Sequence, residues 1–219
     1  MAKKSNRQDK NRVVFISAII AAVLVVVCIV AVIANTLVNN KKDGSGGVPA
    51  VTSKNYFADI EIKDYGTITV KLDSEAAPLT VKNFVSLAKD GFYDGLTFHR
   101  IMEGFMMQGG DPEGTGYGGS DKTIVGEFAN NGYNNNLSHT RGAISMARSN
   151  SYNSASSQFF IVHQDSTSLD GEYAVFGYVT EGIEVVDAVC SDAQPIDGNG
   201  FIAAESQPVI TSITIREAD

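Results

Sequence analysis

The run Phe98-His99-Arg100-Ile101-Met102-Glu103-Gly104-Phe105-Met106-Met107-Gln108-Gly109-Gly110-Asp111-Pro112 decides how this chain is read. It sets one guanidinium and one amide among large apolar side chains, with glycine at its middle and end, an odd mixture for a strand that only fills a core. Taken as extended chain, Phe98, Arg100 and Met102 fall on one side and His99 and Ile101 on the other. A second extended run opens at Phe105, after Gly104. Arg100, Phe105, Met106 and Gln108 can then converge on one concavity. On the residues alone, a solvated Arg100 beside an ordinary core Phe and Met is the competing account.

Short strand-like runs recur on both sides. Tyr56–Ile62 and Gly66–Leu72 alternate apolar and polar residues around Lys63-Asp64-Tyr65, which is a hairpin pattern. A helix is expected from Pro78, with Val81, Phe84, Val85 and Leu87-Ala88 on one face and Gly91 at its stop. Further strands are expected at Leu96–Ile101, Phe105–Gln108, Ala143–Ala147, Gln158–Val162, Val175–Val179 and Val209–Ile215, and a second helix at Ile183–Cys190. Many short strands, two separated helices and no repeating strand–helix unit favour an antiparallel barrel over a doubly wound sheet.

The N-terminal quarter has another character. Val13 to Ala34 is a run of 22 residues without a charge, enough at about 1.5 Å per residue to cross a hydrocarbon core of about 30 Å. Lys3, Lys4, Arg7, Lys10 and Arg12 precede it, so the positive-inside rule places the N-terminus in the cytoplasm and the rest outside. The expected organisation is a basic tail over 1–12, a transmembrane helix over 13–37, a Gly/Ser/Asn/Lys-rich flexible linker over 38–54 and a folded domain over 55–219. A cleaved signal peptide ending near Ala34 is the rival reading; its apolar region normally runs only about 7–15 residues, so an uncleaved single-pass anchor is preferred.

From Gly44 onward the chain carries 10 Lys and Arg against 23 Asp and Glu, a net of −13. That acidity, with no basic stripe, excludes a phosphate-backbone partner. The two cysteines, Cys28 in the apolar run and Cys190 beyond it, cannot bridge within the outer domain. Cys190 reads as a small packed hydrophobe. Gly114-Thr115-Gly116-Tyr117-Gly118-Gly119 matches a dinucleotide fingerprint, but no strand leads in and no helix follows, so it reads as a glycine-rich loop. His99, His139 and His163 are not at metal-ligand spacing, no Gly-x-Ser-x-Gly elbow is present, and His139 reads as a satisfied structural residue. Neither a metal nor an organic cofactor is expected.

Several blocks in one order carry a family resemblance. Thr97–Ile101, Gly104–Asp111, Gly142–Ala147, Ser157–Ile161 and Leu169-Asp170-Gly171 with Val175-Phe176-Gly177 resemble the cyclophilin-type peptidyl-prolyl cis-trans isomerases over about Tyr56 to Glu217, and Glu127–Gly132 and Ser138–Gly142 resemble the bacterial branch. The resemblance implies a mainly β fold, a closed eight-stranded antiparallel barrel capped by two α-helices, with the active groove on its outer face. It implies Arg100 as the catalytic residue and Phe105, Met106, Phe160 and Leu169 as the proline pocket. Gln108 is implied to orient the substrate backbone and the arginine. Ala147 and Arg148 are implied to contact the residues before proline, and His99 and Gln158 to line the same surface.

Two positions depart from the family pattern. Ser168 stands where many members have tryptophan, so the resemblance does not support tight cyclosporin binding, and Tyr173 stands where histidine is frequent. A tyrosine can still wall the pocket and offer a hydroxyl. Arg148 replaces a smaller polar residue. The expectation is a membrane-tethered monomer acting on proline-containing exported polypeptides, with a non-catalytic Pro-peptide binding module as the alternative.

Overall fold

The computed structural model describes residues 56–217; the basic tail, the apolar run and the linker expected over 1–54 lie outside the described residues. Among the described residues no helix is long and apolar enough to cross a membrane. Eight strands form one antiparallel sheet: β1 Tyr56–Ile62, β2 Gly66–Leu72, β3 Thr97–Met102, β4 Met106–Asp111, β5 Ala143–Met146, β6 Phe159–Val162, β7 Val175–Glu181 and β8 Ile210–Glu217. Their order across the sheet is β3-β4-β6-β5-β7-β2-β1-β8. Among the described residues two α-helices accompany the sheet, α1 Pro78–Lys89 and α2 Ile183–Asp192.

The hairpin β1–β2 forms where expected, in register from Tyr56↔Leu72 to Ile62↔Gly66. Its alternation buries Ala58, Ile60, Ile62, Ile68, Val70 and Leu72 inside the curl of the sheet. Helix α1 presents Val81, Phe84, Val85 and Ala88 to the same core, and the Phe84 ring meets Tyr93, Phe159 and Phe176 at 5.2, 5.5 and 5.2 Å. Its N-terminal residue Ala77 offers no side-chain cap. Glu127 supplies one from a distant loop, accepting from the Leu79 and Thr80 amides at 3.0 and 2.7 Å and the Thr80 hydroxyl at 2.8 Å. That placement satisfies orphan N–H groups and sets a negative charge at the positive end of the helix dipole. Helix α2 buries Val185, Val186, Val189 and Cys190. Burial pushes the Cys190 thiol up to about 12, in keeping with a packed hydrophobe.

The expected closed barrel is not formed: the sheet is a curled half-barrel. β8 pairs with β1 along its length, from Ile62↔Ile210 to Tyr56↔Glu217. The free edge of β3 is instead covered by the loop before β8, through the Arg100↔Phe201 bridge and bonds from Ile101 N to Gly200 O at 2.8 Å and Ile202 N to His99 O at 3.0 Å. The two sheet edges approach only near Thr97↔Val209. A covered edge satisfies the backbone groups that a continuous ladder would otherwise have to satisfy.

A second departure lies in β3. Phe98 pairs with Gly109 and Arg100 with Gln108, so His99 is an extra residue and the register shifts there. Such a bulge breaks the two-residue period. Phe98 therefore joins Ile101 in the main core, while Arg100 and Met102 stay on the opposite face. The short strands β5 and β6 are buried throughout because both of their faces are covered. Ile144, Met146, Phe159 and Ile161 fill the main core, and Ala143, Phe160 and Val162 join Met106 and Val175 in a smaller cluster on the other side.

Candidate active site

Over that smaller cluster lies a cleft of about 220 Å³ lined by Arg100, Phe105, Met106, Gln108, Ala147, Arg148, Phe160, Leu169 and Tyr173. Nine residues named from the sequence are thus brought together, and the cleft runs into a second one of about 310 Å³ that holds Gln158 beside the loop Gly116–Gly118. Only His99 is misplaced. The bulge turns its side chain inward, where it is 0 % exposed, tilted against Phe201 at 6.3 Å, with neither ring nitrogen hydrogen-bonded. Burial lowers its pKa from the ordinary 6.5, with Arg100 acting in the same sense and Asp111 opposing.

Arg100 is half-buried at the cleft's edge. Its Nε donates to Asn199 O at 2.7 Å, and Nη1 faces Gln108 Oε1 at 3.3 Å and Met106 Sδ at 3.7 Å. Its Nη2 lies 3.2 Å from Met102 Sδ, and the guanidinium sits 5.9 Å from the Phe105 ring centre. Burial lowers its pKa from the ordinary guanidinium value, opposed by Tyr173 and Asp197, and a guanidinium remains charged throughout working pH. The weak sulfur contacts and the long bond to Gln108 leave Nη donors able to turn toward a bound amide.

The amide orientations follow from who can donate. Gly116 and Gly118 carbonyls can only accept, so the Gln158 amide nitrogen faces them at 3.1 and 2.8 Å. Its oxygen then accepts from Gln108 Nε2 at 2.8 Å, which leaves the Gln108 oxygen toward Arg100. The glycine-rich loop at the far end of this relay is wrapped around Asp111. That carboxylate, 1 % exposed, accepts from the amides of Glu113, Thr115, Gly116 and Gly118 at 2.8, 3.0, 2.6 and 3.2 Å. Burial by itself would raise the pKa of Asp111, but these four amides outweigh it and hold the group below 3.8. The fingerprint-like glycines thus bind an anion of the chain's own, and a Cβ at Gly118 would come within 2.1 Å of Asp111 Oδ1.

The apolar wall is braced from behind. The Phe160 ring meets Tyr173 edge-on at 5.8 Å and stacks on His139 at 5.8 Å and 12°. His139 Nδ1 donates to Asp170 Oδ1 at 2.8 Å, because a carboxylate only accepts, and Nε2 then accepts from Ser145 Oγ at 3.1 Å. Burial lowers the His139 pKa from 6.5 against the pull of Asp170, so the ring is a neutral brace, as the sequence reading had it.

Arg148 is not a free donor to substrate. Its Nε and Nη1 donate to Glu172 O and Ser149 O, each at 2.9 Å, and Nη2 pairs with Glu172 Oε2 at 3.2 Å. Its guanidinium lies 5.2, 5.0 and 4.7 Å from the ring centres of Phe128, Tyr152 and Tyr173. It forms the ridge between the two clefts and holds Tyr173 in place. Ser168 is exposed on a 3-10 turn and is absent from the lining of the proline-sized cleft.

Sequence reasoning set Met102 on the face of Arg100 without naming it a site residue, and it did not find the Asn199 carbonyl or the Gly116 and Gly118 carbonyls. The carbonyls carry no side-chain signal, and Asn199 is 99 positions from Arg100.

Comparison with known proteins agrees with this geometry. The model of the cyclophilin type peptidyl-prolyl cis-trans isomerase family matches residues 57–218. Peptidyl-prolyl cis-trans isomerase B of Bacillus subtilis is 49% identical over 123 residues, covering 56% of this chain and 82% of that protein. A peptidyl-prolyl cis-trans isomerase of Helicobacter pylori is 45% identical over 139 residues, covering 63% and 82%. A Cryptosporidium parvum cyclophilin type peptidyl-prolyl cis-trans isomerase, crystallised in the presence of the dipeptide Ala-Pro, superposes with a TM-score of 0.65 at 30% identity, over 74% of this chain and 99% of that one. By its sequence blocks, its curled sheet and the family model that spans its folded part, this chain belongs to the cyclophilin-type peptidyl-prolyl cis-trans isomerases.

Proposed function

We propose that this chain accelerates rotation about X-Pro bonds in exported polypeptides, as a monomer held by residues 13–37 on the outer side of the cytoplasmic membrane. The observation that carries the catalytic part is a charged guanidinium, oriented by an amide relay, at the edge of a proline-sized apolar slot.

An X-Pro bond is held planar by resonance, with a barrier of about 18–20 kcal/mol and uncatalysed exchange in about 10–100 s. Rotation returns the lone pair to the prolyl nitrogen, so a donor directed at that nitrogen favours the twisted state over both planar ones. Phe105, Met106, Phe160, Leu169 and Tyr173 hold the ring, and Arg100 supplies the donor. Gln108 keeps Arg100 in place and offers its amide to the substrate backbone. No proton is transferred and no bond is broken.

The test is cis-to-trans exchange of an Ala-Pro peptide by the full-length protein and by Arg100→Ala. Acceleration that falls at least a hundredfold in a folded variant is expected, since one directed donor is worth about 10²–10³ in rate. Binding of the peptide without acceleration by wild type would favour a binding module and overturn the catalytic reading. The location rests on the charge asymmetry around the apolar run. Retention in carbonate-washed membranes, with the domain cleaved by protease added outside intact cells, is the expected result; a soluble, protected domain would refute it.

A further inference from the structure

Phe105, one wall of the proline slot, ends the exposed turn Glu103-Gly104-Phe105 between β3 and β4. The turn has one internal bond, Phe105 N to Met102 O at 3.0 Å, and Gly104 sits at φ +79°, where other residues would be strained. His163, outside the cleft, holds this turn twice. Its backbone amide donates to Phe105 O at 2.9 Å, and its ring Nδ1 accepts from the Gly104 amide at 2.9 Å. Nδ1 must therefore be bare and the ring hydrogen sits on Nε2, which faces Asp187 Oδ1 at 3.2 Å. Arg141 fixes that carboxylate with two bonds of 2.7 Å and also donates to His163 O at 2.8 Å.

We infer that His163 is a positioning residue for catalysis: oriented by Asp187 of α2 and by Arg141, it sets the Phe105 wall of the proline slot through the Gly104 amide. None of these three side chains touches the cleft, and none enters the rotation chemistry. The tilt of the turn fixes both the slot's width and the distance of the Phe105 ring from Arg100. The effect accordingly falls on the holding of the proline ring rather than on the donor to its nitrogen.

The inference rests on the isomerase reading, and the experiment separates the two. KM and kcat are measured by exchange spectroscopy on an Ala-Pro peptide, with full-length wild type as control; no turnover by wild type counts against the function, not the positioning. His163→Asn keeps an acceptor near the Nδ1 position but cannot reach Asp187, whereas His163→Gln reaches Asp187 and presents no acceptor to Gly104. His163→Ala and His163→Gln are expected to raise KM about three- to tenfold with kcat within about twofold, the effect of one lost hydrogen bond on ground-state holding, and His163→Asn to restore most of the loss. Unchanged KM in the Ala and Gln variants, or a Gln variant that outperforms Asn, overturns the inference. Should the variants fail to fold, hydrogen exchange at Gly104 in wild type decides: a protected amide in this exposed turn supports the His163 bond, and exchange at the rate of a free turn refutes it.

Discussion

Replacing Arg148 with serine probes how the proline slot is walled. Arg148 touches three rings at 4.7–5.2 Å, and cation–π contacts run from about 0.5 kcal/mol when exposed to about 2 when desolvated. With its side chain 10% exposed, the three together amount to about 2–4 kcal/mol. Two hydrogen bonds to carbonyls add about 1.5–3 kcal/mol each before the cost of removing the guanidinium from water, which is several kcal/mol. Ordering the long side chain takes back about 2 kcal/mol, and the pair with Glu172, 40% exposed, adds little. The net loss expected in Arg148→Ser is about 2 kcal/mol, or about 4–8 °C in Tm for a domain of this size. Because Tyr173 loses its backing, affinity for an Ala-Pro peptide should fall about three- to tenfold, one rotamer-rich wall being worth about 0.5–1.5 kcal/mol to fix. Urea unfolding and peptide titration read the two effects. Arg148→Lys should lie between serine and wild type, since an ammonium keeps the pair but not the planar stacking. A serine variant within about 0.5 kcal/mol of wild type in urea unfolding, with unchanged peptide affinity, would refute the bracing role.

Three further outcomes follow from the geometry. Gln158→Glu cannot donate to the Gly116 and Gly118 carbonyls, so kcat/KM is expected to drop about tenfold, the equivalent of about 1.4 kcal/mol or one uncompensated hydrogen bond; steady-state rates equal to wild type would break the relay argument. Glu127→Ala removes three acceptor contacts at the start of α1 and should cost about 1–3 kcal/mol in chemical unfolding, while catalysis in the surviving folded fraction stays within about twofold. His99 and His139 are both held below 6.5 by burial, so the unfolded chain takes up protons that the folded one refuses. Their stabilisation is complete above about pH 6.5 and is lost as pH falls from there toward the folded values, by up to about 1.4 kcal/mol per group per pH unit. Tm should therefore drop between pH 7.5 and 5.5 while the isomerisation rate of the folded protein stays nearly flat, because Arg100 does not titrate. A constant Tm would refute the first half and a steep rate profile the second.

The periodic signals were strong enough to be read directly. The β1–β2 hairpin and the first residues of both helices fall where alternation, Pro78 and the apolar face of Ile183–Cys190 place them, because each depends on neighbours within a few positions. Arg100, Phe105, Met106 and Gln108 were also legible as one concavity, since a single hairpin carries all four: the pleat of its paired strands sends Arg100, Met106 and Gln108 to the same face, and Phe105 ends the turn that joins them. Gln158, Phe160, Leu169 and Tyr173 joined them only through the resemblance, as nothing local marks a residue 50 positions away as a partner.

Local pattern and residue type set the elements and the chemistry of the cleft: a cation, an amide and a group of apolar side chains in strands whose two faces must both be covered. Which way each side chain faces, and what stands behind it, comes from long-range packing. The bulge at His99 moves Phe98 from the expected face of Arg100 to that of Ile101, because one extra residue in a ladder shifts the side chain before it. The loop at 199–202 covers the edge of β3 and leaves the barrel half open, because backbone hydrogen bonds can be met by any chain that arrives in register. The direction of the Gln158–Gln108–Arg100 relay and the hydrogen bonds from Arg148 to Glu172 depend on donors and acceptors far apart in sequence. Their pairing is a property of packed geometry, where leaving a buried polar side chain unpartnered carries a cost that, among the described residues, only His99 bears.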